Sequence, residues 1–319
     1  VSRKVLVIGA AGMIGRKLVE RLSGDGATLV LQDVVPFEGK KNAVVSDLSA
    51  PGEAEKLVAE RPELIFHLAA VVSGEAEADF DKGYRVNLDG TRRLFEAIRK
   101  ESYSPRVVFT SSIAVFGAPF PEAIDDEFLN APLTSYGTQK ALCELLLSDY
   151  SRRGFFDGIG IRLPTICVRP GKPNKAASGF FSGIIREPLA GEEALLPVAD
   201  TVRHWFASPR AAVAFLMHAA QLDSAKLGTR RNLSMPGVCA TVGEEIEALR
   251  KVAGADAVKL IRRQPDPAIE RIVGGWPQNF DPRRAHELGF RADSSFEEII
   301  RIHLQDELQK SAPPPPAPA

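Results

Sequence analysis

Cysteine is scarce in this chain, with three residues among 319, at Cys143, Cys167 and Cys239. An odd and scattered set supports neither a disulfide framework nor a thiolate metal site, and it fits a reducing cytoplasm. The five histidines form no spacing with Cys, Asp or Glu that suggests a metal centre, so none is expected. No apolar run approaches the ~20 residues that a membrane helix needs. The chain enters a strand pattern at once, without the apolar core of a signal peptide. Charge of one sign is also missing: 40 basic residues oppose 41 acidic ones, which removes the bulk electrostatic case for nucleic acid or an anionic membrane. Repeats of fixed period are absent too. What remains is an ordinary globular composition, long enough for one large α/β unit or two packed lobes.

The first half alternates short β-rich runs with helical patterns. Val5 to Ile8 is a continuous apolar run, as expected of a strand buried on both faces. Further strands are expected at 28–31, 43–45, 64–68, 107–110 and 159–163, with helices from Gly15 to Leu22 and over 53–61, 87–100 and 135–151. This rhythm argues for a parallel, doubly wound sheet. After Pro170 the chain becomes rich in Gly, Pro, Asn and Ser up to Gly191, which reads as a long substrate-facing loop with a short helix. From Glu192 to Arg301 helices mix with brief strands, and Ser311 to Ala319 is a Pro/Ala tail.

Between the first strand and its helix stands Gly9-Ala10-Ala11-Gly12-Met13-Ile14-Gly15. A Cβ in such a turn would block backbone approach to a pyrophosphate, and the free N–H groups of the helix start, at Met13 and Ile14, favour phosphate charge. Asp33 ends the second strand, about 20 residues on, where ribose hydroxyls are read. A carboxylate there repels a 2′-phosphate and so favours NAD over NADP; a strand-end turn is the plainer role. Asp47 and Leu48 follow the third strand, where Asp47 could meet the adenine amino group or cap the following helix. The expected fold is therefore a Rossmann-like doubly wound parallel sheet with a smaller interleaved C-terminal substrate lobe. Residues 1–170 would form the NAD-binding domain, 171–310 the lobe and 311–319 the tail.

Tyr136 and Lys140 lie at i and i+4 on one helix face. A free phenol, with a pKa of about 10, is a poor base near neutrality. An ammonium nearby favours the phenolate, which can take the proton of an alcohol while hydride leaves the same carbon. Ser111 and Ser112 end the fifth expected strand, and the C-terminal edge of a parallel sheet opens onto the cofactor crevice. Ser112 is the expected partner of the reacting oxygen; Ser111 replaces it if the register shifts by one.

Gly9-xx-Gly12-xx-Gly15, His67-Leu-Ala-Ala70, Asn87, Ser111-Ser112, Val115-Phe116-Gly117, Tyr136-xxx-Lys140 and Arg162-Leu163-Pro164-Thr165 occur here in one order. In that order they resemble the extended short-chain dehydrogenases/reductases, and within them the NAD-dependent epimerase/dehydratase members. The resemblance covers roughly Val5 to Ile302 and is strongest before Gly171. It implies that Ala69 and Ala70 line the adenosine side and that Asn87 braces its helix and a water relay. It also implies that Pro164 to Cys167 flank the nicotinamide, that Lys140 holds the nicotinamide ribose, and that Ser112, Tyr136 and Lys140 form the catalytic set. Phe116 and Val168-Arg169-Pro170-Gly171 depart from the family's usual residues, which weighs against a nucleotide-sugar substrate. Ser135 to Asn174, with Arg203-His204-Trp205 and Asn232 to Gly237, is similar to family members that oxidise C2 of small sugar acids. That likeness implies a small polyhydroxy acid as substrate.

A carboxylate calls for a bidentate guanidinium or backbone donors. Arg169, Lys172, Lys175 and Arg203 fall in segments expected near the crevice, where Asn174, Ser178 and Ser73 could read hydroxyls. Each cation taken singly is equally a solvated loop charge, and Ser73 equally a loop cap. His67, inside an apolar strand, reads as a buried hydrogen-bonded residue, and His204 as pocket wall or packing. Leu142, Leu145 and Leu146 exceed one narrow helical stripe. They suggest a homodimer through paired helices, although core burial explains them as well. A non-catalytic dinucleotide sensor on the same fold would have no use for the Tyr/Lys pair.

Overall fold

The computed structural model describes residues 3–40, 43–171 and 177–308. Six strands come from the first half: β1 (Lys4–Ile8), β2 (Thr28–Asp33), β3 (Val44–Val45), β4 (Leu64–His67), β5 (Arg106–Ser112) and β6 (Asp157–Leu163). Six more follow: β7 (Thr165–Ile166), β8 (Ala194–Leu196), β9 (Arg203–Ala207), β10 (Asn232–Ser234), β11 (Val238–Thr241) and β12 (Ile261–Arg263). The main sheet has seven strands in the order β10-β6-β5-β4-β1-β2-β3, and every pairing in it is parallel.

The apolar runs explain this sheet. Alternate residues point to opposite faces, and both faces are covered. Val5, Val7, Phe66, Val108, Ile159 and Ile161 pack on one side with Leu18, Leu22, Phe215 and Leu216. Leu6, Ile8, Ile65, Val107 and Phe109 pack on the other with Leu57, Leu94, Phe95 and Leu147. The helices that cover these faces include Met13–Ser23, Gly90–Glu101, Ser135–Arg152 and Pro209–Gln221. β1 lies between β2 and β4, so the winding reverses there and opens a crevice at the carboxyl ends of the strands.

Two details differ from the sequence expectation. Sheet strand β10 comes from the second half and pairs with β6, a three-residue strand too short for periodicity to reveal. The helix expected over 87–100 is α-helical only from Gly90, because Tyr84–Asp89 forms a π-helical turn that carries Asn87. β5 runs to Ser112, so both serines end the strand as expected and alternate across it. The smaller lobe contains the sheet β11-β9-β7 and the pair β12-β8. Its own core gathers Phe181, Ile184, Ile185, Phe206, Ile246, Leu249 and Ile299.

Candidate active site

The turn after β1 is held from two sides. The backbone N–H groups of Gly9 and Ala10 both donate to the Gln32 carbonyl, at 2.8 and 3.0 Å. The Asp33 carboxylate accepts from Ala11 N at 2.8 Å and from Val34 N at 2.7 Å. Gly9 has φ +85, and a Cβ there would stand 2.7 Å from Ala69 N. At Gly15 a Cβ would fall 2.2 Å from the Gly9 carbonyl oxygen, so the helix sits against the turn only because residue 15 is glycine. Helix Met13–Ser23 begins without a side-chain cap and without an acidic residue in its first turn. Its free N–H groups and dipole therefore face the crevice uncompensated, which fits the diphosphate of a dinucleotide.

Gly9, Gly12 and Gly15 wall a cavity of about 480 Å³ together with Met13, Ile14 and Ala70. The same cavity reaches Ser73, Ser112, Tyr136, Lys140, Pro164 and Arg169. Helix Ser135–Arg152 carries Tyr136 and Lys140 into it, and the Thr134 hydroxyl caps that helix by accepting from Gly137 N at 3.1 Å. A Cβ on Gly137 would lie 2.1 Å from the Ala114 carbonyl oxygen, so this glycine lets the helix start press onto the short turn Ile113–Val115 that follows β5. Ser112 lines the cavity beside the Tyr136 phenol, with its Oγ accepting from Ala114 N at 3.1 Å. Ser111 points the other way and donates to the buried Glu144 carboxylate at 2.5 Å. The strand alternation thus selects Ser112 as the hydroxyl beside the phenol, while Ser111 borders the cavity and spends its side chain elsewhere.

Lys140 stands beside Tyr136 as the spacing predicts, its Nζ 5.8 Å from the centre of that ring, but it is held by other partners as well. Lys140 Nζ donates to the Thr110 carbonyl at 2.8 Å and lies over the Phe109 ring, 4.7 Å from its centre. Burial pushes the Tyr136 phenol up to about 12; the nearby Ser112 hydroxyl and then the charge of Arg169 pull it back. Burial in turn lowers the Lys140 ammonium to about 8. The helical spacing brings Tyr136 and Lys140 to one cavity; desolvation, which no spacing reveals, decides the protonation of both.

Arg169 is the principal cation of the substrate end. Its Nε donates to the Ile166 carbonyl and its Nη2 to Ser178 Oγ, both at 3.0 Å, and no carboxylate among the described residues pairs with it. Arg186, next to it, donates to the Arg169 carbonyl at 2.8 Å and is paired with Glu187. Burial first, and Arg186 second, hold the Arg169 guanidinium below its usual range. Ser182 accepts from Arg169 N at 3.0 Å. The Ser178, Ser182 and Arg186 spacing along helix Gly179–Leu189 was a signal in the sequence for the last two of these wall residues, which the reading missed.

Other expected residues fall outside the cavity wall. Arg203 is exposed at the start of β9, where the two-residue alternation turns its neighbour His204 inward instead. Asp47 spends its carboxylate on Ser49 N at 2.9 Å and on Arg85 at 2.8 Å, and it caps no helix, since Gly52 precedes helix Glu53–Ala59. Burial opposes ionisation of Asp47, but the bonds from Ser49 and Arg85 outweigh it and hold the carboxyl below its usual range. Leu48 is buried in the core behind it, and Ala69 backs Gly9. Asn87 is buried; its carbonyl oxygen accepts from Val71 N at 2.8 Å and its amide donates to Gln139 at 2.7 Å. Asn174, Lys172 and Lys175 lie outside the described residues. His67 is buried against Thr91 at 2.8 Å, and burial lowers its pKa to about 3. Unforeseen in the sequence was the network around Glu144, which pairs with Arg162 at 2.8 Å and accepts from Asn130 at 2.9 Å, tying the Tyr136 helix to β6.

The chain belongs to the NAD dependent epimerase/dehydratase family, whose model matches residues 5–233. It is an NAD-dependent oxidoreductase of the extended short-chain dehydrogenase/reductase type. It is 49% identical to D-erythronate dehydrogenase of Cupriavidus necator, over 95% of this chain and 98% of that protein. With D-erythronate dehydrogenase of Haemophilus influenzae it shares 42% identity, over 95% and 99% of the two chains. A solved structure described as a nucleoside-diphosphate-sugar epimerase from Agrobacterium tumefaciens superposes with a TM-score of 0.93 at 65% identity, covering 97% of this chain and 96% of that one.

Proposed function

We propose that this enzyme oxidises the C2 hydroxyl of a small polyhydroxy acid, D-erythronate first among them, to the 2-oxo acid. The observation that carries this reading is Arg169, a buried guanidinium without a carboxylate partner among the described residues, in the cavity that holds Tyr136. A desolvated cation of this kind is stabilised by an anion that arrives with the substrate. The two D-erythronate dehydrogenases among the relatives agree with an acid substrate.

The roles follow from position. The glycine turn and the helix start would hold the NAD diphosphate, and Asp33 the adenosine ribose. Lys140 keeps two donors after serving Thr110, enough for the hydroxyls of the second ribose. NAD, when bound, supplies the acceptor for the hydride of C2. Arg169 binds the C1 carboxylate and so fixes C2 against the phenol. Tyr136 takes the proton of the C2 hydroxyl, and Ser112 holds that oxygen as its charge grows. With Tyr136 pushed up to about 12 by burial, the loss of its proton needs added positive charge, and Arg169 is the protein's own contribution. Residues 1–170 would carry the cofactor and also supply Ser112, Tyr136 and Arg169 to the substrate, while 171–310 complete the substrate end with Ser178, Ser182, Arg186 and His204. Leu145, 68% exposed on the Tyr136 helix, is the surface that a second copy would cover in a homodimer. No helix among the described residues is long and apolar enough to cross a membrane, and the sparse free thiols suit the cytoplasm.

A second reading, a nucleotide-sugar epimerase that retains its NAD, is favoured by the description of the Agrobacterium tumefaciens structure. One assay separates the two. Four-carbon and five-carbon aldonic acids are screened with NAD while NADH is followed by absorbance. Net NADH from an aldonic acid is expected; turnover of a nucleotide sugar without net NADH would replace this reading with the epimerase.

A further inference from the structure

Beyond Arg169, the cavity holds a polar pair to which neither the family model nor the relatives' descriptions give a task. Thr165, in β7, and His204, in β9, both line it, and Thr165 Oγ1 lies 2.6 Å from His204 Nε2. The imidazole is fixed on two sides. It stacks flat on Phe181, with ring centres 5.2 Å apart and planes at 2°, and Trp276 packs 5.5 Å from it. Burial keeps the ring neutral, lowering its pKa to about 3. It therefore behaves as a fixed hydrogen-bond partner for Thr165 and not as a cation or a proton carrier.

We infer that Thr165, oriented by His204, is the residue that reads a substrate hydroxyl beyond the carbon being oxidised. A hydroxyl group offers one donor and two acceptor sites. His204 uses one of them, and among the described residues Thr165 has no other side-chain hydrogen bond, so its remaining capacity belongs to the cavity. The neighbouring Ile166 supplies the carbonyl that holds Arg169 Nε at 3.0 Å. One short strand thus sets the distance between the cation that takes the carboxylate and the hydroxyl that meets the far end of the chain. Tyr136, which senses the charge of Arg169, lines the same cavity. A substrate held at its carboxylate and at C2 has its next hydroxyls, at C3 and C4, directed along this wall. Trp276, packed against His204, and Pro277 add bulk to the lining there, which suits a short chain with a terminal polar group. His204 acts only through Thr165 and is a positioning residue.

This inference rests on the proposed acid substrate, and the test keeps the two apart. Thr165→Val is nearly isosteric and removes only the polar contact; Thr165→Ser keeps it. Each is compared with the unaltered enzyme on D-erythronate, on its 3-deoxy analogue and on its 4-deoxy analogue, with NAD affinity and thermal midpoint measured alongside. The expected result is a fall of about tenfold or more in kcat/KM for Thr165→Val on D-erythronate, as for a site left with an unpaired substrate hydroxyl. That fall should shrink to about twofold or less on one of the deoxy acids, with NAD affinity unchanged and activity largely restored in Thr165→Ser. Equal loss on all three acids, no loss, or a loss explained by weaker NAD binding would overturn the role of Thr165 while leaving the acid substrate standing. Failure of the unaltered enzyme to oxidise any of the three would overturn both.

Discussion

The two ends of the cavity are built by different means. At the cofactor end the contacts are offered by backbone: a glycine turn, an uncapped helix start and strand ends in parallel register. At the substrate end they are offered by side chains on short elements, namely Arg169, Thr165, His204 and the helix Gly179–Leu189. Backbone donors come with the fold and suit any dinucleotide. Side-chain donors can be exchanged one at a time without disturbing the sheet, so the fold conserves the cofactor chemistry and leaves specificity to a few residues.

That contrast can be broken by substitution. The largest effect is expected at the junction of the two ends. Tyr136→Phe should lower kcat by about a thousandfold, within the usual span for a general base, with NAD affinity in titration nearly unchanged; near-normal turnover would remove the phenol from the chemistry. Arg169→Met should cost about a hundredfold in kcat/KM for the acid, the scale of a lost charge-assisted bond. The thermal midpoint of that variant should hold or rise, because a buried cation without a carboxylate partner is removed. A large drop in stability with the acid affinity intact would make Arg169 structural.

Effects at the cofactor end should be smaller, because backbone carries most of the binding. Asp33→Ala should relax the preference for NAD over NADP by about tenfold, the worth of one or two hydrogen bonds, read as the ratio of kcat/KM values. Since Asp33 also accepts from Ala11 N, some loss of affinity for both cofactors should accompany it. An unchanged ratio would move cofactor choice elsewhere.

The smallest effect concerns the lobe's own core. Glu245 is fully buried there, neither carboxylate oxygen has a hydrogen-bond partner among the described residues, and burial raises its pKa well above the ordinary value. The folded chain therefore keeps a proton that the unfolded chain releases once pH exceeds the usual carboxyl range. Stability should fall as pH rises through that window. Glu245→Gln should flatten this decline, and Glu245→Met should add about 1–3 kcal/mol near neutral pH by removing an unsatisfied group. Denaturant unfolding at several pH values reads both, and a steeper decline in either variant would contradict the burial argument.

The same contrast explains what the sequence makes legible. Val5 to Ile8, the glycine turn and the Tyr136/Lys140 spacing are local patterns, and each appears in the structure where the pattern puts it. β10, three residues long, owes its place to a tertiary pairing with β6 that leaves no local trace. Arg203 and His204 are adjacent, and only the pleat of β9 decides that His204 faces the cavity. The Tyr136 phenol shows the limit most sharply. Spacing places a cation beside it, yet burial raises its pKa, and the charge that acts on it is Arg169, 33 residues further along the chain. Desolvation depends on everything packed around a group, so it becomes readable only once the chain is folded.

The account turns on hydride leaving C2 of an acid that Arg169 holds. D-Erythronate deuterated at C2, given to the enzyme with NAD in a single turnover, tests this directly. Deuterium recovered in the reduced nicotinamide, with the carbon product a 2-oxo acid free of label, is the expected result. Label retained in the four-carbon acid would contradict it.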